Sequence, residues 1–167
     1  MMVETIFHTL NAKAALYAIG EYLEWSRLDF PVFVSGILVD HSGRTLSGQT
    51  GEAFYASIRH SEPMCVAFNC ALGAKHMMPA GCVECFLHVY LNAGLPNAIG
   101  GYDNTPEDME EQNKVFFESG WFNMVGGCCG STPPHIKALR ETQLRITSLG
   151  SHQMSDGRRC GFRVWKI

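Results

Sequence analysis

A chain of 167 residues, 46% of them hydrophobic, is long enough for one globular domain with a buried core. No apolar run approaches the roughly 20 residues that cross a bilayer, and the first residues do not have the basic-then-apolar pattern of a signal peptide. The net charge of −3 argues against a nucleic-acid partner. We therefore expect a cytoplasmic protein without a membrane or nucleic-acid partner, whose seven cysteines are thiols or metal ligands.

The charge is unevenly distributed along the chain. Residues 140–167 contain six basic residues and two acidic ones, a net charge of +4, while the rest of the chain is acidic. This change predicts a domain over residues 1–140 and a basic, poorly ordered tail over residues 141–167.

Strand and helix patterns alternate along the first 140 residues without a hairpin signal, which predicts parallel β/α units. The predicted strands are Val3–Phe7, Val32–Val39, Met64–Cys70, Cys85–Leu91 and Trp121–Val125. The predicted helices cover 11–25, Glu52–His60, the stretch from Thr105 to before Gly120, and Pro133–Arg145. The crossover from Ala71 to Cys85 is short for a helix and is interrupted by glycine and proline.

Polar and thiol side chains fall where these strands end. Ligands of parallel α/β folds meet the carboxyl ends of the strands, so these residues are expected on one rim. The set is Glu4, Asp40, Cys70, Asn92, Cys128 and Cys129.

The stretch NMVGGCCGSTPP, residues 123–134, places two adjacent cysteines between a strand and a helix. Gly126 and Gly127 would let the backbone turn tightly or approach a ligand, because neither has a Cβ atom. Ser131 or Thr132 can cap a helix that opens at Pro133. The thiols of Cys128 and Cys129 are therefore expected at the surface of the rim.

Three cysteines at strand ends, Cys70, Cys128 and Cys129, could hold zinc with its fourth position open to a thiol substrate. Several alternatives stay open from the residues alone. Cys70 could be a buried strand cysteine, with the other two filling a turn. The Cys82–Cys85 C-x-x-C pair could complete a closed four-cysteine site or act as a redox dithiol.

Glu4 ends an apolar strand, where a carboxylate needs a cationic partner or exposure to solvent. A substrate ammonium group would serve, and so would a salt bridge to a neighbouring loop.

Five segments together carry a resemblance to a known family. They are VETIFHTLNAKAAL, VSGILVDHSGRTLSGQTGEAF, FNCALGA, LNAGLPNAIGGYDNTPEDM and GGCCGSTPPHIKAL, in that order over about residues 2–140. They closely resemble the homocysteine-binding domain of cobalamin-dependent methionine synthase, within the homocysteine S-methyltransferase family.

The resemblance implies a fold, a metal and a substrate. The family domain is a TIM (β/α)8 barrel whose zinc is held by the cysteines that match Cys70, Cys128 and Cys129. Homocysteine binds zinc through its thiol, and as a thiolate it attacks an activated methyl group to give methionine. Glu4 matches the residue that holds the substrate amino group, and Asn69 and Asn92 match positions near the site.

The chain also departs from the family pattern. Its five strands match the second half of the eight-stranded barrel, and no segment matches the glycine-rich first strand. His8 stands where the family usually has Asp, and Leu91 where it usually has Pro. The cobalamin motif D-x-H-x-x-G does not occur, so cobalamin would act only through modules outside this sequence.

We therefore expect the C-terminal half of a TIM barrel, present as a fragment, that binds zinc and homocysteine for methyl transfer. Five strands would leave two sheet edges and an apolar barrel wall uncovered, so self-association or a complementing barrel half is expected. The alternative is a non-catalytic zinc- or thiol-binding remnant, or a truncated product, that acts only by association with another chain.

Overall fold

A computed structural model describes residues 1–38, 43–69, 84–119 and 122–149. Over these residues five β-strands alternate with four α-helices, with a short 3-10 turn at Arg59–Ser61. The strands are β1 (Met2–Ile6), β2 (Phe33–Ile37), β3 (Cys65–Asn69), β4 (Phe86–Leu91) and β5 (Met124–Gly127). The helices are α1 (Thr9–Ser26), α2 (Gly51–Ile58), α3 (Pro106–Ser119) and α4 (Pro133–Leu149).

The five strands form one sheet in the order β1-β2-β3-β4-β5, and every neighbouring pair is parallel. Each strand thus lies beside the next one in the sequence, as in half of a (β/α)8 barrel. The predicted fold class, parallel β/α units of a partial barrel, is confirmed. Within the described residues, no helix is both long and apolar enough to span a membrane.

One face of the sheet carries the hydrophobic core. Side chains on a strand alternate between its faces, and the register aligns one apolar set from strand to strand. The helices cover this set with buried side chains such as Phe54, Ile58 and Phe116. The apolar set itself is Val34, Val66, Phe68, Leu87, Val89, Leu91 and Val125.

The opposite face, which would be the interior of a closed barrel, mixes polar and apolar side chains. Ser35, Asn69 and Tyr90 are buried on it near the carboxyl ends of the strands. Met2 and Phe86, at the other end, are each 47% exposed. The inner face is therefore polar at the rim and partly uncovered at the base.

The helix starts follow local hydrogen-bonding rules. Thr50 caps α2 by accepting from the amide of Ala53 at 3.2 Å. Before α3, Thr105 and Asp108 form a reciprocal capping box, with backbone-to-side-chain distances of 3.2 and 2.9 Å. His8 caps α1, because its Nδ1 accepts from the amide of Leu10 at 3.1 Å.

Two element ends differ from the sequence-based expectation. β5 includes Gly126 and Gly127, so the turn falls at Cys129 and Gly130 instead of at the glycine pair. Helix α4 continues to Leu149, beyond its predicted end at Arg145. The expected crossover over 71–85 lies mostly outside the described residues, as do residues 150–167.

Candidate active site

The Cys128–Cys129 turn is hydrogen-bonded to the end of the neighbouring strand β4. The amide of Cys128 donates to the carbonyl of Leu91 at 2.7 Å, and the carbonyl of Cys129 accepts from Ala93 at 2.8 Å. The side chain of Asn92 accepts from the amide of Cys129 at 3.1 Å. Both peptide units of the turn are therefore fixed before any ligand binds.

The two thiols point toward each other. Their sulfur atoms lie 3.8 Å apart, and Cys128 is half-buried while Cys129 is exposed. Among the described cysteines none forms a disulfide. Adjacent residues with convergent sulfur atoms at an accessible rim are able to share one thiophilic metal ion.

Two glycines that flank the thiols are required by packing. A Cβ atom on Gly127 would lie 2.6 Å from Cβ of Ser131. Gly130 has a φ of +76°, and a Cβ atom there would overlap the Tyr102 side chain, with its Cδ2 at 2.8 Å. Gly130 therefore satisfies two requirements at once, a left-handed backbone and a close approach to Tyr102.

The start of α4 is fixed by a buried histidine. Nδ1 of His135 accepts from the amide of Thr132 at 3.1 Å, and Nε2 of His135 lies 2.9 Å from the carbonyl of Asn104. Because that carbonyl can only accept, Nε2 carries the proton. This histidine connects the cysteine turn to the segment before α3.

Glu4 lies at the end of a hydrogen-bonded chain that crosses the inner face of the sheet. The hydroxyl of Tyr90 donates to Oε1 of Glu4 at 3.1 Å and also contacts the hydroxyl of Ser35. Ser35 contacts Oδ1 of Asn69 at 3.0 Å, and Nδ2 of Asn69 contacts Oγ1 of Thr5 at 2.9 Å. Strands β1 to β4 thus all contribute to the environment of Glu4.

Thr5 holds an unusual backbone conformation beside Glu4. Its φ is +58°, and the register between β1 and β2 shifts between Val3 and Ile6. A β-branched residue is rarely found in the left-handed region, and a bulge of this kind redirects the neighbouring side chain. Glu4 was expected at the end of a strand, but it lies within β1, directly before this irregularity.

Burial changes the acid–base properties of the two aromatic residues beside this chain. Burial raises the pKa of Tyr90, the hydrogen bond to Ser35 opposes the rise, and the charges of Glu4 and Cys128 add to it. The phenol therefore stays protonated and can donate. Burial lowers the pKa of His88 from 6.5 to about 4, so this imidazole is neutral at pH 7.

The structure brings the predicted site residues into two groups. Asn92 joins Cys128 and Cys129, while Asn69 joins Glu4 through Ser35 and Tyr90. Cys70, the third predicted ligand, lies outside the described residues, as do Asp40 and Cys82. Over the residues that the structure describes, no three His, Cys, Asp or Glu side chains form a metal-binding cluster.

The alternative four-cysteine site is not compatible with the position of Cys85. This residue precedes β4, whereas Cys128 follows β5, so they lie at opposite ends of adjacent parallel strands. The six residues of β4 span roughly 20 Å at about 3.3 Å per residue. Cys85 and Cys128 cannot bind the same ion.

Sequence reasoning missed Tyr90, Ser35 and Thr5. Tyr90 and Ser35 could have been recognised from the sequence, because each is a polar side chain within a largely apolar strand. Nothing in the residue type signals the backbone of Thr5, because that conformation usually selects glycine or asparagine.

The fold and the rim together define a parallel β/α protein with a thiol pair and a carboxylate at the carboxyl ends of its strands. A family model described as homocysteine S-methyltransferase matches residues 1–143. The chain therefore belongs to the homocysteine S-methyltransferase family, as the sequence motifs predicted. Membership supports a role in homocysteine methyl transfer, with homocysteine as the substrate that the family binds.

We predict that Gly130→Ala is far more damaging than the same change at Gly100. Both glycines have positive φ, +76° and +80°, but a Cβ atom at Gly100 meets nothing within 4 Å. Each alanine costs about 1–2 kcal/mol of backbone strain, and overpacking against Tyr102 adds about 1–3 kcal/mol. Urea unfolding of both variants measures the difference, and equal losses would contradict the packing argument.

A second prediction concerns acid stability. As the pH falls below 6.5, the unfolded chain protonates His88 while the folded chain does so only near pH 4, so folding weakens across that window. His88→Gln removes this dependence, and its stability relative to the wild type should improve by about 2 kcal/mol between pH 7 and pH 5. Urea unfolding at both pH values tests this prediction. If the free energy of unfolding falls equally in the two proteins between pH 7 and pH 5, the pKa of His88 is not lowered by folding.

Proposed function

We propose that this chain binds homocysteine and holds its thiol for methyl transfer, giving methionine, in the manner of a zinc-dependent methionine synthase-type domain. The observation that carries the proposal is the pair of sulfur atoms 3.8 Å apart on the rim, fixed to β4 by three hydrogen bonds. Family membership supports the reaction class.

The donor set suits zinc. Thiolate ligands about 2.3 Å from a tetrahedral zinc ion stand roughly 3.8 Å from one another. The Cys128 and Cys129 sulfur atoms already have this separation. We propose Cys70 as the third ligand, since it directly follows β3, whose last residue Asn69 lies two strands from Gly127 at the same end of the sheet.

A bound zinc ion would lower the pKa of a coordinated substrate thiol and keep it ionised at neutral pH. The chain's own residues hold and orient the substrate. Cys128 and Cys129 place the ion, Asn92 fixes their turn, and Glu4 offers a carboxylate to the substrate ammonium group. The sulfur then forms a bond to the methyl carbon while the bond from that carbon to its donor breaks, leaving the electron pair on the donor.

Tyr90 relates the two groups of site residues. Its hydroxyl donates to Glu4, and its backbone pairs with Gly126, two residues before Cys128. Homocysteine has its thiol and its amino group on one short chain. A carboxylate hydrogen-bonded to Tyr90 and a thiol pair that follows the neighbouring strand β5 support simultaneous recognition of both ends. We propose that Asn69 and Asn92 act at this site as well.

We predict about one zinc per purified chain, lost in Cys128→Ala because two remaining thiolates cannot hold the ion tightly. Cys85→Ala serves as the matched control, since Cys85 lies at the other end of the sheet. Elemental analysis gives the zinc content, and calorimetry with homocysteine gives binding. If replacing Cys85 or Cys82 removes the zinc and replacing Cys128 does not, the proposed ligand set is wrong.

A second candidate function is a thiol- and metal-binding module that acts only in association with another chain. The observation in its favour is the inner sheet face, where Met2 and Phe86 are each 47% exposed. In addition, β1 and β5 are the outer strands of the described sheet, so each presents an edge.

For the 167-residue chain we therefore predict self-association, or binding of a complementing barrel half. Sedimentation velocity over a hundredfold range of concentration should show a dimer or larger species, and Phe86→Asp should shift it toward monomer. Met64→Asp, at a residue 39% exposed, is a control for added charge. A compact wild-type monomer at every concentration would contradict this prediction.

A further inference from the structure

The chain of hydrogen bonds from Thr5 to Glu4 is not needed to hold the thiol pair, and its members lie on four strands. We propose that Tyr90 is a positioning residue, supported by Ser35 and Asn69, that fixes the Glu4 carboxylate for recognition of the substrate ammonium group. This inference rests on the proposed function, because it assumes that Glu4 faces the amino group of a thiol substrate.

Burial distinguishes the supporting residues from the residue that they hold. Tyr90 is 5% exposed, Asn69 1% and Ser35 fully buried, whereas Glu4 is exposed. An exposed glutamate has several rotamers, and a hydrogen bond from a buried, immobile phenol selects among them. The buried residues therefore restrict a side chain that would otherwise move in solvent.

Donor and acceptor roles fix the direction of these hydrogen bonds. A carboxylate only accepts, so the Tyr90 hydroxyl donates to Glu4, and the same hydroxyl donates to Ser35. The hydroxyl of Ser35 donates to Oδ1 of Asn69, and Nδ2 of Asn69 donates to Oγ1 of Thr5. Ser35 and Asn69 therefore fix the position of the Tyr90 hydroxyl beside Glu4.

Thr5 constrains the backbone beside Glu4. Its φ of +58° lies in the left-handed region, which is unfavourable for a β-branched residue, so the surrounding contacts must hold it in place. Its hydroxyl is bound to Asn69, on β3, 64 residues away in the sequence. Asn69 thus restrains two parts of the structure around Glu4. Through Thr5 it holds the backbone beside Glu4, and through Ser35 it holds the Tyr90 hydroxyl that contacts the Glu4 carboxylate.

The test compares two thiols that differ only in the amino group, homocysteine and 4-mercaptobutyrate, on the zinc-loaded 167-residue chain. Calorimetry gives the affinity ratio for wild type, Glu4→Gln, Tyr90→Phe and Ser35→Ala. Tyr55→Phe is the matched control, because its hydroxyl accepts from the amide of Glu84, away from Glu4. Zinc content and circular dichroism are recorded for every variant.

We expect wild type to prefer homocysteine and Glu4→Gln to lose that preference. Tyr90→Phe and Ser35→Ala should each reduce the preference about tenfold, equivalent to about 1.4 kcal/mol, with zinc content and 4-mercaptobutyrate affinity unchanged. The Tyr90→Phe/Ser35→Ala double variant should lose no more than either single variant, because both act through one chain. Should Tyr90→Phe fail to fold, Ser35→Ala carries the same test.

Other outcomes separate the failure of this inference from the failure of the proposed function. If Glu4→Gln loses the preference while Tyr90→Phe and Ser35→Ala keep it, the positioning role is wrong and Glu4 still binds the substrate. A general loss of affinity for both thiols would reduce Tyr90 to a structural role. A wild-type chain that does not bind either thiol would overturn the proposed function together with this inference.

Discussion

The arrangement of the site depends on the parallel pairing of β4 with β5 and on its continuation past the ends of both strands. Beyond the strand ends, the amide of Cys128 donates to the carbonyl of Leu91, and the amide of Ala93 donates to the carbonyl of Cys129. The cysteine turn is therefore held by backbone hydrogen bonds. Backbone geometry of this kind needs no particular side chain apart from the two thiols and the asparagine that accepts from Cys129. The thiol pair is therefore preorganised, and a ligand does not have to supply the free energy that orders it.

The other half of the site is held in a different way. Glu4 depends on side chains from strands β2, β3 and β4, and Ser35, Asn69 and Tyr90 are all buried on a face that is apolar at its base. Buried polar groups of this kind stabilise a structure only when every hydrogen has an acceptor. Truncating one of these hydrogen-bonded side chains would therefore affect the Glu4 carboxylate more than the Cys128 and Cys129 thiols, although both groups lie at the same rim.

Much of this arrangement could be predicted from the sequence. The five strands, their parallel order and the position of Asn92 beside the cysteines follow from local patterns and strand ends. Within α1, the size of an apolar side chain does not indicate its burial, since Tyr22 is 47% exposed while Ala12 and Leu16 are buried. The bulge at Thr5 could not be predicted, because it is stabilised by Asn69, a contact between residues 64 positions apart. The third ligand at Cys70, the tail boundary and the substrate contacts of Asn69 and Asn92 remain predictions.

The sequence separations within the site have a consequence for how it assembles. The Cys129 turn is closed by a partner 37 residues away, whereas Glu4 meets Tyr90 across 86 residues. Contacts between distant residues form later on average, because a longer loop must close first. During folding, or during synthesis from the amino terminus, Glu4 is made first and finds its partner late. The thiol turn, although synthesised last, can form from β4, β5 and the segment between them, so the two sulfur atoms would be in place before the Tyr90 hydroxyl reaches the Glu4 carboxylate.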